Sequence, residues 1–215
     1  MKIAVLASGR GSNFQKIAEA VKSGKIRAEL ALLVTDRETA GAINIAREFG
    51  INVCLLPFKK FPNRESYDKK IVSILKQEKV SLVCLAGYMR IVSQTFVKSF
   101  ENRMMNIHPS LLPAFPGLNV HRKVLEYGAK FSGATVHFVD TGVDTGPIII
   151  QATVPVKPQD TPDSLANRIL KWEHRIYPQA IKWFVEGRIT ISGRKVTVND
   201  ASYASVPVVP ALEDF

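Results

Sequence analysis

The sequence predicts an α/β fold built on a doubly wound, mostly parallel, Rossmann-like sheet with helices on both faces. Strand-like and helix-like segments alternate regularly through the first half of the chain, as in successive right-handed strand–helix–strand crossovers. Several strand segments are almost continuously apolar, as expected where helices cover both faces of a parallel sheet. A glycine-rich turn, Ser8 to Asn13, joins the first strand segment to the first helix segment.

The elements of the first half follow from hydrophobic periodicity. Lys2 to Ala7 is a nearly continuous apolar run and predicts the first strand. Apolar residues at helical spacing, beginning with Phe14 and Ile17, predict the first helix over residues 13–21. The same two patterns predict further strands at 30–35, 52–56, 82–86 and 103–108, and further helices at 40–49, 64–75 and 93–100.

The second half begins with two strand-like segments, residues 131–139 and 148–156, which are separated by a polar turn. A long helical segment follows, with Thr161 as its cap and a proline in its first turn. We expect this helix to run to Val185, with Pro178 either kinking it or leaving a carbonyl group unpaired.

The last segments suggest a small hairpin and a tail. Residues 189–192 and 195–198 are strand-like and flank a Gly-Arg pair, which predicts a β-hairpin. Residues 201–215 lack any periodicity, and we expect a loosely held tail there. We therefore predict a single domain over residues 1–200 followed by this tail.

Composition indicates a water-soluble globular protein. The chain has 215 residues, of which 46% are hydrophobic and 22% are charged, an ordinary balance for such proteins. No apolar run is long enough to span a bilayer, and Met1 leads directly into a strand-like segment instead of a signal peptide. Cys54 and Cys84 lie in apolar runs without metal-ligand spacing. We expect a cytoplasmic protein with reduced cysteines and neither a bound metal nor a membrane partner.

The net charge of +10 raises the question of nucleic-acid binding. A nucleic-acid site would show clustered basic residues with interleaved aromatic residues, or a known module. The lysines and arginines are instead spread along the chain. We therefore expect small anionic substrates, whose local concentration a positive surface raises, and no nucleic-acid partner.

The segment Asn106 to Pro113 carries the strongest candidate for chemistry. Asn106 and His108 are two residues apart on a predicted strand, so their side chains project from the same face. An amide that donates hydrogen bonds would then lie beside an imidazole that titrates near neutral pH. The alternative from these residues alone is a strand that ends in a proline-rich turn, with a structural histidine.

The glycine-rich turn from Ser8 to Asn13 is a candidate anion site, because a helix N-terminus offers backbone N–H groups and a favourable dipole. Phe14 occupies the position of the third glycine of a dinucleotide fingerprint, and no P-loop lysine follows. The turn therefore fits the phosphate of a small ligand better than a dinucleotide. A plain tight turn, with Ser12 or Asn13 as the helix cap, is an equally good interpretation of this segment.

Together, these segments resemble the phosphoribosylglycinamide formyltransferases, the folate-dependent enzymes of purine biosynthesis. The matching blocks occur in the family's order and cover the chain from residue 1 to about residue 190: 8–13, 85–91, 106–117, 133–138, 144–151 and 173–178. The resemblance implies the formyltransferase fold and transfer of a formyl group from 10-formyltetrahydrofolate to the amine of glycinamide ribonucleotide. It also implies that the formyl folate is a cosubstrate and that no cofactor is tightly bound.

The resemblance assigns roles by position. It implies that Asn106, His108 and Asp144 are catalytic and that the Leu112–Pro113 peptide bond is cis. The first half of the domain would bind the nucleotide phosphate and the second half the folate. The residues implied for the ribonucleotide are Gly11, Ser12, Asn13, Leu170, Lys171, Trp172 and Glu173, the last accepting its amine. The residues implied for the folate are Arg64, Met89, Arg90, Ile91, Val92, Asn106, Asp140, Thr141, Gly142, Val143 and Asp144.

These roles suit the chemistry of formyl transfer, in which negative charge develops on the formyl oxygen. Asn106 and a protonated His108 could donate hydrogen bonds to that oxygen, and Asp144 is expected to raise the pKa of His108 by its charge. We interpret the other histidines, at positions 121, 137 and 174, as structural. Without the resemblance, Asp144 would be a turn residue, Arg64 a solvated charge and Met89 core filler.

Three other functions remain as alternatives. A formyltetrahydrofolate hydrolase or a methionyl-tRNA formyltransferase would use the same three catalytic residues. Both carry a further domain, and a chain running from Met1 to Phe215 is expected to have room for neither. A non-catalytic nucleotide-binding module is the third alternative. The sequence leaves the oligomeric state open between a monomer and a homodimer.

Overall fold

The computed structural model describes residues 1–204 and 207–213. Its strands and helices alternate as predicted, and the α/β class with a mostly parallel sheet is confirmed. The chain divides into two compact units, Met1–Asn106 and Ile107–Phe215, which we call unit 1 and unit 2. No helix in the described part of the chain is long and apolar enough to cross a membrane.

Unit 1 is the parallel part of the fold. Its strands lie in the order β5-β4-β1-β2-β3, and every pairing between them is parallel. The strands are β1 (Lys2–Leu6), β2 (Glu29–Thr35), β3 (Asn52–Leu55), β4 (Leu82–Leu85) and β5 (Met104–His108), whose last two residues belong to unit 2. The helices are α1 (Ser12–Lys22), α2 (Ala42–Glu48), α3 (Arg64–Gln77) and α4 (Gln94–Ser99), with a 3-10 turn at Phe58–Lys60 that we did not predict.

The apolar runs that predicted the strands form the core of unit 1. Ile3, Val5 and Leu6 are fully buried, which explains why β1 lacks the polar alternation of a half-exposed strand. The carboxyl ends of these parallel strands lie at one edge of the sheet, where ligands bind in open α/β folds. Both the glycine-rich turn after β1 and the loop after β4 begin at this edge.

Unit 2 combines an antiparallel sheet with a long helix. Its strands lie in the order β10-β7-β6, and both pairings are antiparallel. The elements are α5 (Val120–Tyr127), β6 (Phe131–Phe138), β7 (Ile148–Pro155), α6 (Pro162–Val185), the predicted hairpin of β8 (Ile189–Ser192) and β9 (Lys195–Val198), and β10 (Val208–Val209). The predicted end of α6 at Val185 is confirmed, and the helix includes Pro178.

The start of α6 is held by side-chain hydrogen bonds. Thr161 and Ser164 form a reciprocal capping box, which satisfies backbone N–H groups that have no partner within the helix. One turn later, Arg168 donates two hydrogen bonds to Asp160, at 2.7 and 2.6 Å, and another to the carbonyl oxygen of Pro155 at 3.0 Å. This arginine therefore ties α6 to the end of β7.

The prediction of a loosely held tail is wrong for residues 207–213. Val208 and Val209 pair with β7 as the short strand β10, and Arg188 donates hydrogen bonds of 2.8 and 2.6 Å to Glu213. A strand of two residues is too short to show periodicity, so the sequence pattern could not reveal it. Four residues of the predicted tail lie outside the described part of the chain: 205, 206, 214 and 215.

Candidate active site

His108 and Asp144 form a close pair in unit 2. His108 ends β5, and its Nδ1 lies 3.3 Å from Oδ2 of Asp144. His108 is buried and Asp144 is partly buried, with 6% and 12% of their side-chain surfaces exposed. Asp144 lies in the turn between β6 and β7 and has a φ of +55°, a left-handed conformation that aspartate tolerates better than most residues. Asp144 is therefore more than a turn residue, because its side chain contacts His108.

The Asp144 carboxylate is oriented by two further groups. The backbone N–H of Gly117 donates a hydrogen bond of 2.8 Å to Oδ2, and Nε2 of His137 lies 3.6 Å from Oδ1. We interpreted His137 as structural, and the structure places it on β6 against the carboxylate that faces His108. Periodicity could predict the strand but not this contact, because the contact depends on the turn that carries Asp144.

Both imidazoles are also bonded to backbone carbonyl groups. Nε2 of His108 lies 2.9 Å from the carbonyl oxygen of Phe115, and Nδ1 of His137 lies 2.7 Å from that of Phe138. A carbonyl oxygen only accepts, so each of these nitrogens carries a proton. The remaining nitrogen of each ring faces Asp144, and that of His108 can donate to the carboxylate only when this ring is an imidazolium.

Opposing effects act on the pKa of His108. Burial lowers the pKa, whereas the hydrogen bond to Phe115 and the charge of Asp144 raise it, and nearby His137 and Lys123 lower it further. The net result is a pKa below the usual value for histidine. The expected direction of the Asp144 effect is confirmed, and the net pKa is nevertheless lowered because desolvation of the ring outweighs the carboxylate.

The pKa of the Asp144 carboxyl group is also set by opposing effects. Burial is the largest single effect and raises its pKa, but His137, the Gly117 N–H group and His108 together lower it below the usual value. Asp144 therefore stays ionised at neutral pH. A permanent negative charge next to a buried imidazole is the arrangement that stabilises an imidazolium formed during a reaction.

The loop that follows His108 is held by a buried hydrogen-bond network. The Thr135 hydroxyl donates to the carbonyl oxygen of Ser110 at 2.6 Å and accepts from the Leu112 N–H at 3.2 Å. Gln151 donates to Thr135 and to the carbonyl oxygen of Leu112, both at 2.9 Å. The predicted cis bond between Leu112 and Pro113 is confirmed in this loop. The network joins the segment after His108 to β6 and β7.

The turn assigned to the folate, residues 140–144, is also organised by its own side chains. Oδ1 of Asp140 accepts hydrogen bonds from the Gly142 N–H at 3.0 Å and from the Thr145 hydroxyl at 2.6 Å. Arg194, on the loop between β8 and β9, donates to the carbonyl oxygen of Thr145 at 2.7 Å. Thr141 and Val143 are exposed between these fixed points, so the turn offers backbone groups on a rigid frame.

The four residues assigned to the ribonucleotide in unit 2 lie on one turn of α6. Glu173 is buried, Leu170 and Trp172 are partly buried, and Lys171 is exposed. Side chains on a helix are 100° apart, so only Leu170 and Glu173, three residues apart, share a face. The Trp172 ring lies 4.9 Å from the guanidinium of Arg175, which gives it a role in packing on the helix surface.

The glycine-rich turn in unit 1 depends on Gly11. This residue is the N-cap of α1, with a φ of +82° and no side-chain cap, so the alternative of a Ser12 or Asn13 cap is wrong. A Cβ atom on Gly11 would lie 2.8 Å from the Cα and Cβ atoms of Ala42. The turn therefore requires glycine for both its conformation and its packing, and it leaves the helix N-terminus without a competing side-chain acceptor.

The loop after β4 is anchored to the same turn. Ser8 donates its N–H to the Gly87 carbonyl oxygen, and its hydroxyl accepts from the Met89 N–H, both at 3.1 Å. Met89 and Ile91 are 59% and 58% exposed, so Met89 does not fill the core. Arg64 is exposed at the first position of α3, where both a solvated charge and a ligand contact are compatible with its position.

Asn106 lies on β5 opposite Leu85, two residues before His108. Both residues belong to β5, and the shared direction of their side chains stays a prediction from strand alternation. Val92, the last residue of the predicted folate loop, is partly buried next to Ser93, whose N–H group donates to the Asp68 carboxylate. In the described residues, no group of three histidine, cysteine, aspartate or glutamate side chains is arranged to hold a metal ion.

The chain is similar to known proteins over most of its length. A solved glycinamide ribonucleotide transformylase from Symbiobacterium toebii superposes with a TM-score of 0.92 and 48% identity, over 93% of this chain and 94% of that one. Phosphoribosylglycinamide formyltransferase of Escherichia coli is 42% identical over 88% of this chain and 89% of its own length.

A larger relative matches in one region. The trifunctional purine biosynthetic protein adenosine-3 of Drosophila melanogaster is 45% identical over 89% of this chain, which spans only 14% of that protein's length. The model of the formyl transferase family matches residues 1–181, a range that includes β1 to β7 and most of α6. The chain therefore belongs to the formyl transferase family.

Proposed function

We propose that the protein transfers the formyl group of 10-formyltetrahydrofolate to the amine of glycinamide ribonucleotide, a step of purine biosynthesis. The observation that carries this proposal is the pairing of His108 with Asp144 at 3.3 Å in a chain whose relatives are phosphoribosylglycinamide formyltransferases over most of their length. Formyl folate serves as a cosubstrate that is consumed in each turnover.

The reaction exchanges one carbon–nitrogen bond for another. The glycinamide nitrogen attacks the formyl carbon, the bond from that carbon to the folate nitrogen breaks, and one proton moves from the attacking amine to the leaving nitrogen. Asn106 donates a hydrogen bond from its amide to the formyl oxygen, where negative charge develops. The Nε2–H of His108, which bonds to the Phe115 carbonyl in the protein alone, provides the second donor.

His108 also transfers the proton. In its imidazolium form it gives the Nε2 proton to the leaving folate nitrogen and then accepts the proton of the attacking amine, so the proton count balances. Between these steps the neutral ring retains its Nδ1 proton, which faces Asp144 at 3.3 Å. The carboxylate therefore stabilises both the imidazolium and the tautomer that accepts the second proton.

The binding roles are proposed by position in the chain. Gly11, Ser12 and Asn13 bind the ribonucleotide phosphate, supported by a helix N-terminus whose cap has no side-chain acceptor. Leu170 to Glu173 bind the rest of that substrate, with the buried Glu173 carboxylate accepting hydrogen bonds from its amine. Arg64, residues 89–92, Asn106 and residues 140–144 bind the folate, supported by the exposed apolar side chains of the 89–92 loop.

A single assay tests the proposal. The protein is mixed with glycinamide ribonucleotide and 10-formyltetrahydrofolate, and the formylated ribonucleotide is quantified together with tetrahydrofolate and formate. We expect formylated ribonucleotide and tetrahydrofolate in equal amounts and a strict requirement for the ribonucleotide. Release of formate without the ribonucleotide would identify a hydrolase and contradict the proposal, and binding of the ribonucleotide without turnover would identify a non-catalytic module.

Partners and location follow from the same proposal. We propose that this protein acts on small molecules in the cytoplasm, without a nucleic-acid or membrane partner, as a monomer or a homodimer. The reduced cysteines are consistent with such a compartment. Sedimentation of the purified protein distinguishes the two oligomeric states, and fractionation of the cells that express it tests the location.

A further inference from the structure

Unit 1 contains a buried carboxylate, Asp36, for which the proposed mechanism has no use. Asp36 directly follows β2 at the carboxyl edge of the sheet, and only 4% of its side chain is exposed. Its Oδ2 accepts a hydrogen bond of 2.9 Å from Nε of Arg90. A buried carboxylate needs a compensating charge, and Arg90, in the loop after β4, supplies it.

Two aromatic rings contact the guanidinium of Arg90, in addition to the carboxylate of Asp36. Its central carbon lies 3.7 Å from the centroid of the Phe58 ring and 5.8 Å from that of Tyr67. Tyr67 is fixed in turn by edge-to-face contact with Phe58 at 5.2 Å and by the hydroxyl of Tyr88 at 3.2 Å. Stacking on aromatic rings combined with a carboxylate at Nε restricts an otherwise flexible side chain to one orientation.

This arrangement leaves most of the donors of Arg90 available. A guanidinium has five N–H groups, and the only hydrogen bond that Arg90 makes within residues 1–204 and 207–213 uses Nε. A third of the side chain is exposed, 33%, so the terminal groups can reach a ligand. The neighbouring Met89 and Ile91 side chains are also exposed. Arg90 thus presents its terminal N–H donors in one orientation beside an apolar loop.

We propose that Asp36 is a positioning residue for the folate, acting through Arg90. The inference rests on the proposed function, in which the 89–92 loop binds formyl folate, a molecule with an aromatic ring system and two carboxylates. Asp36 fixes Nε of Arg90 and so aims the terminal N–H pair before the ligand arrives. Preorganisation of this kind improves affinity because the ordering of a long side chain no longer opposes binding.

A purely stabilising role for Asp36 fits the structure less well. Its Oδ1 is buried and makes no hydrogen bond with the described residues, and such an unsatisfied atom lowers the stability that a buried pair can give. Arg90 is exposed enough to be hydrated if the pair is broken. Loss of Asp36 should therefore affect the orientation of Arg90 more than the free energy of unfolding.

The test compares three variants by steady-state kinetics. For Asp36→Ala we expect the KM for 10-formyltetrahydrofolate to rise about tenfold, the usual effect of one newly disordered long side chain. The KM for the ribonucleotide and the kcat should stay within about twofold of wild type. Asp36→Asn keeps an oxygen that accepts from Nε and should recover most of the loss. Glu38→Gln removes an exposed charge two residues away and should change none of these values.

A second variant separates positioning from other effects. In the Arg90→Ala background, Asp36→Ala should not raise the folate KM further, because residues that act through one another are non-additive. Independent, multiplying effects of the two substitutions would overturn the proposal, as would an unchanged folate KM in Asp36→Ala.

Equilibrium binding of tetrahydrofolate keeps this inference separate from the proposed function. If the wild type binds tetrahydrofolate and Asp36→Ala binds it about tenfold more weakly, the positioning role stands even if no formyl transfer is detected. If the wild type transfers formyl groups and Asp36→Ala binds tetrahydrofolate as well as the wild type does, the positioning role fails and the proposed function stands. Absence of tetrahydrofolate binding by the wild type would overturn both.

Discussion

Oδ2 of Asp144 lies 3.3 Å from Nδ1 of His108, and this contact is a hydrogen bond only when Nδ1 carries a proton. The other ring nitrogen donates to the Phe115 carbonyl, so the geometry around the ring suits an imidazolium while burial opposes it. The charge of Asp144 is important in this balance, because its removal leaves the effect of burial on the His108 pKa less opposed.

Asp144→Asn should therefore lower the pKa of His108 further and slow the reaction. The substitution keeps the size of the side chain but removes the charge that favours the imidazolium. We expect turnover to fall by roughly two to four orders of magnitude, the range for a positioned proton-transfer group. NMR titration of the His108 ring should give a pKa below the ordinary 6.5 in the wild type and a lower one in the variant.

The double variant is the control for this prediction. His108→Ala combined with Asp144→Asn should be little worse than His108→Ala alone, because residues that act as a unit are non-additive. If the two losses multiply, or if the His108 pKa is the same in both proteins, Asp144 does not act through His108.

His137→Phe tests the second contact of Asp144. Phenylalanine keeps the ring in the buried site on β6 but removes the nitrogen 3.6 Å from Oδ1 of Asp144. We expect kcat to fall roughly tenfold, which corresponds to about 1.4 kcal/mol of lost electrostatic support for the Asp144 carboxylate. The KM for the ribonucleotide should not change. An equal further loss when His137→Phe is added to Asp144→Asn would show that His137 acts elsewhere.

Gly11→Ala and Gly9→Ala form a matched pair in the glycine-rich turn. A Cβ at Gly11 would lie 2.8 Å from Ala42 at a φ of +82°, whereas a Cβ at Gly9 has no atom within 4 Å. We expect Gly11→Ala to raise the ribonucleotide KM by an order of magnitude or more, because it displaces the backbone N–H groups around a phosphate. Gly9→Ala should leave this KM nearly unchanged, and the folate KM should respond little to either substitution.

Asp160 provides a test of stability against pH. The hydrogen bonds from Arg168 hold the pKa of Asp160 well below its usual range. The pair therefore stabilises the fold fully above the unfolded-state pKa of about 3.9, and this stabilisation is lost as the pH falls from there towards the folded-state pKa. Urea unfolding should show Asp160→Asn to be less stable by about 2 kcal/mol at pH 7, with the difference shrinking near pH 3. A constant difference at both pH values would contradict this origin.

The tail should contribute to stability more than to catalysis. Glu213→Ala removes the carboxylate that accepts two hydrogen bonds from Arg188, and we expect a loss of about 1 to 2 kcal/mol in the free energy of unfolding. Turnover should stay within about threefold of wild type, because no residue proposed for the site lies in the tail. The matched control is Glu126→Gln, an exposed change on α5. A fall in the turnover of Glu213→Ala well beyond threefold would place the tail at the site.

Hydrophobic periodicity in the sequence predicted most of the strands and helices of the fold. Apolar runs and helical spacing located β1 to β7 and α1 to α4 within about two residues, because long buried segments must repeat with the period of their structure. The 3-10 turn at Phe58–Lys60 and the strand Val208–Val209 were missed, since two or three residues are too few to show a period.

The candidate site, too, was predicted only in part. His108 and Asp144 were predicted from a family resemblance, and the structure brings them together. The contact from His137 to Asp144 and the pair of Asp36 with Arg90 were not predicted. Asp36 and Arg90 are 54 positions apart, and only the parallel order of β2, β1 and β4 brings the loops that carry them to one edge. Local patterns do not contain that information.

The pairing of β10 with β7 also bears on self-association. β7 would otherwise present the unpaired backbone of Gln151 and Ala152, a template on which a strand of another molecule could add. Val208 and Val209 occupy these positions, and the carbonyl oxygen of Pro207 accepts from the Thr153 N–H at 2.8 Å. Residues 207–209 thus cover a stretch of strand edge on which another molecule could otherwise add a strand.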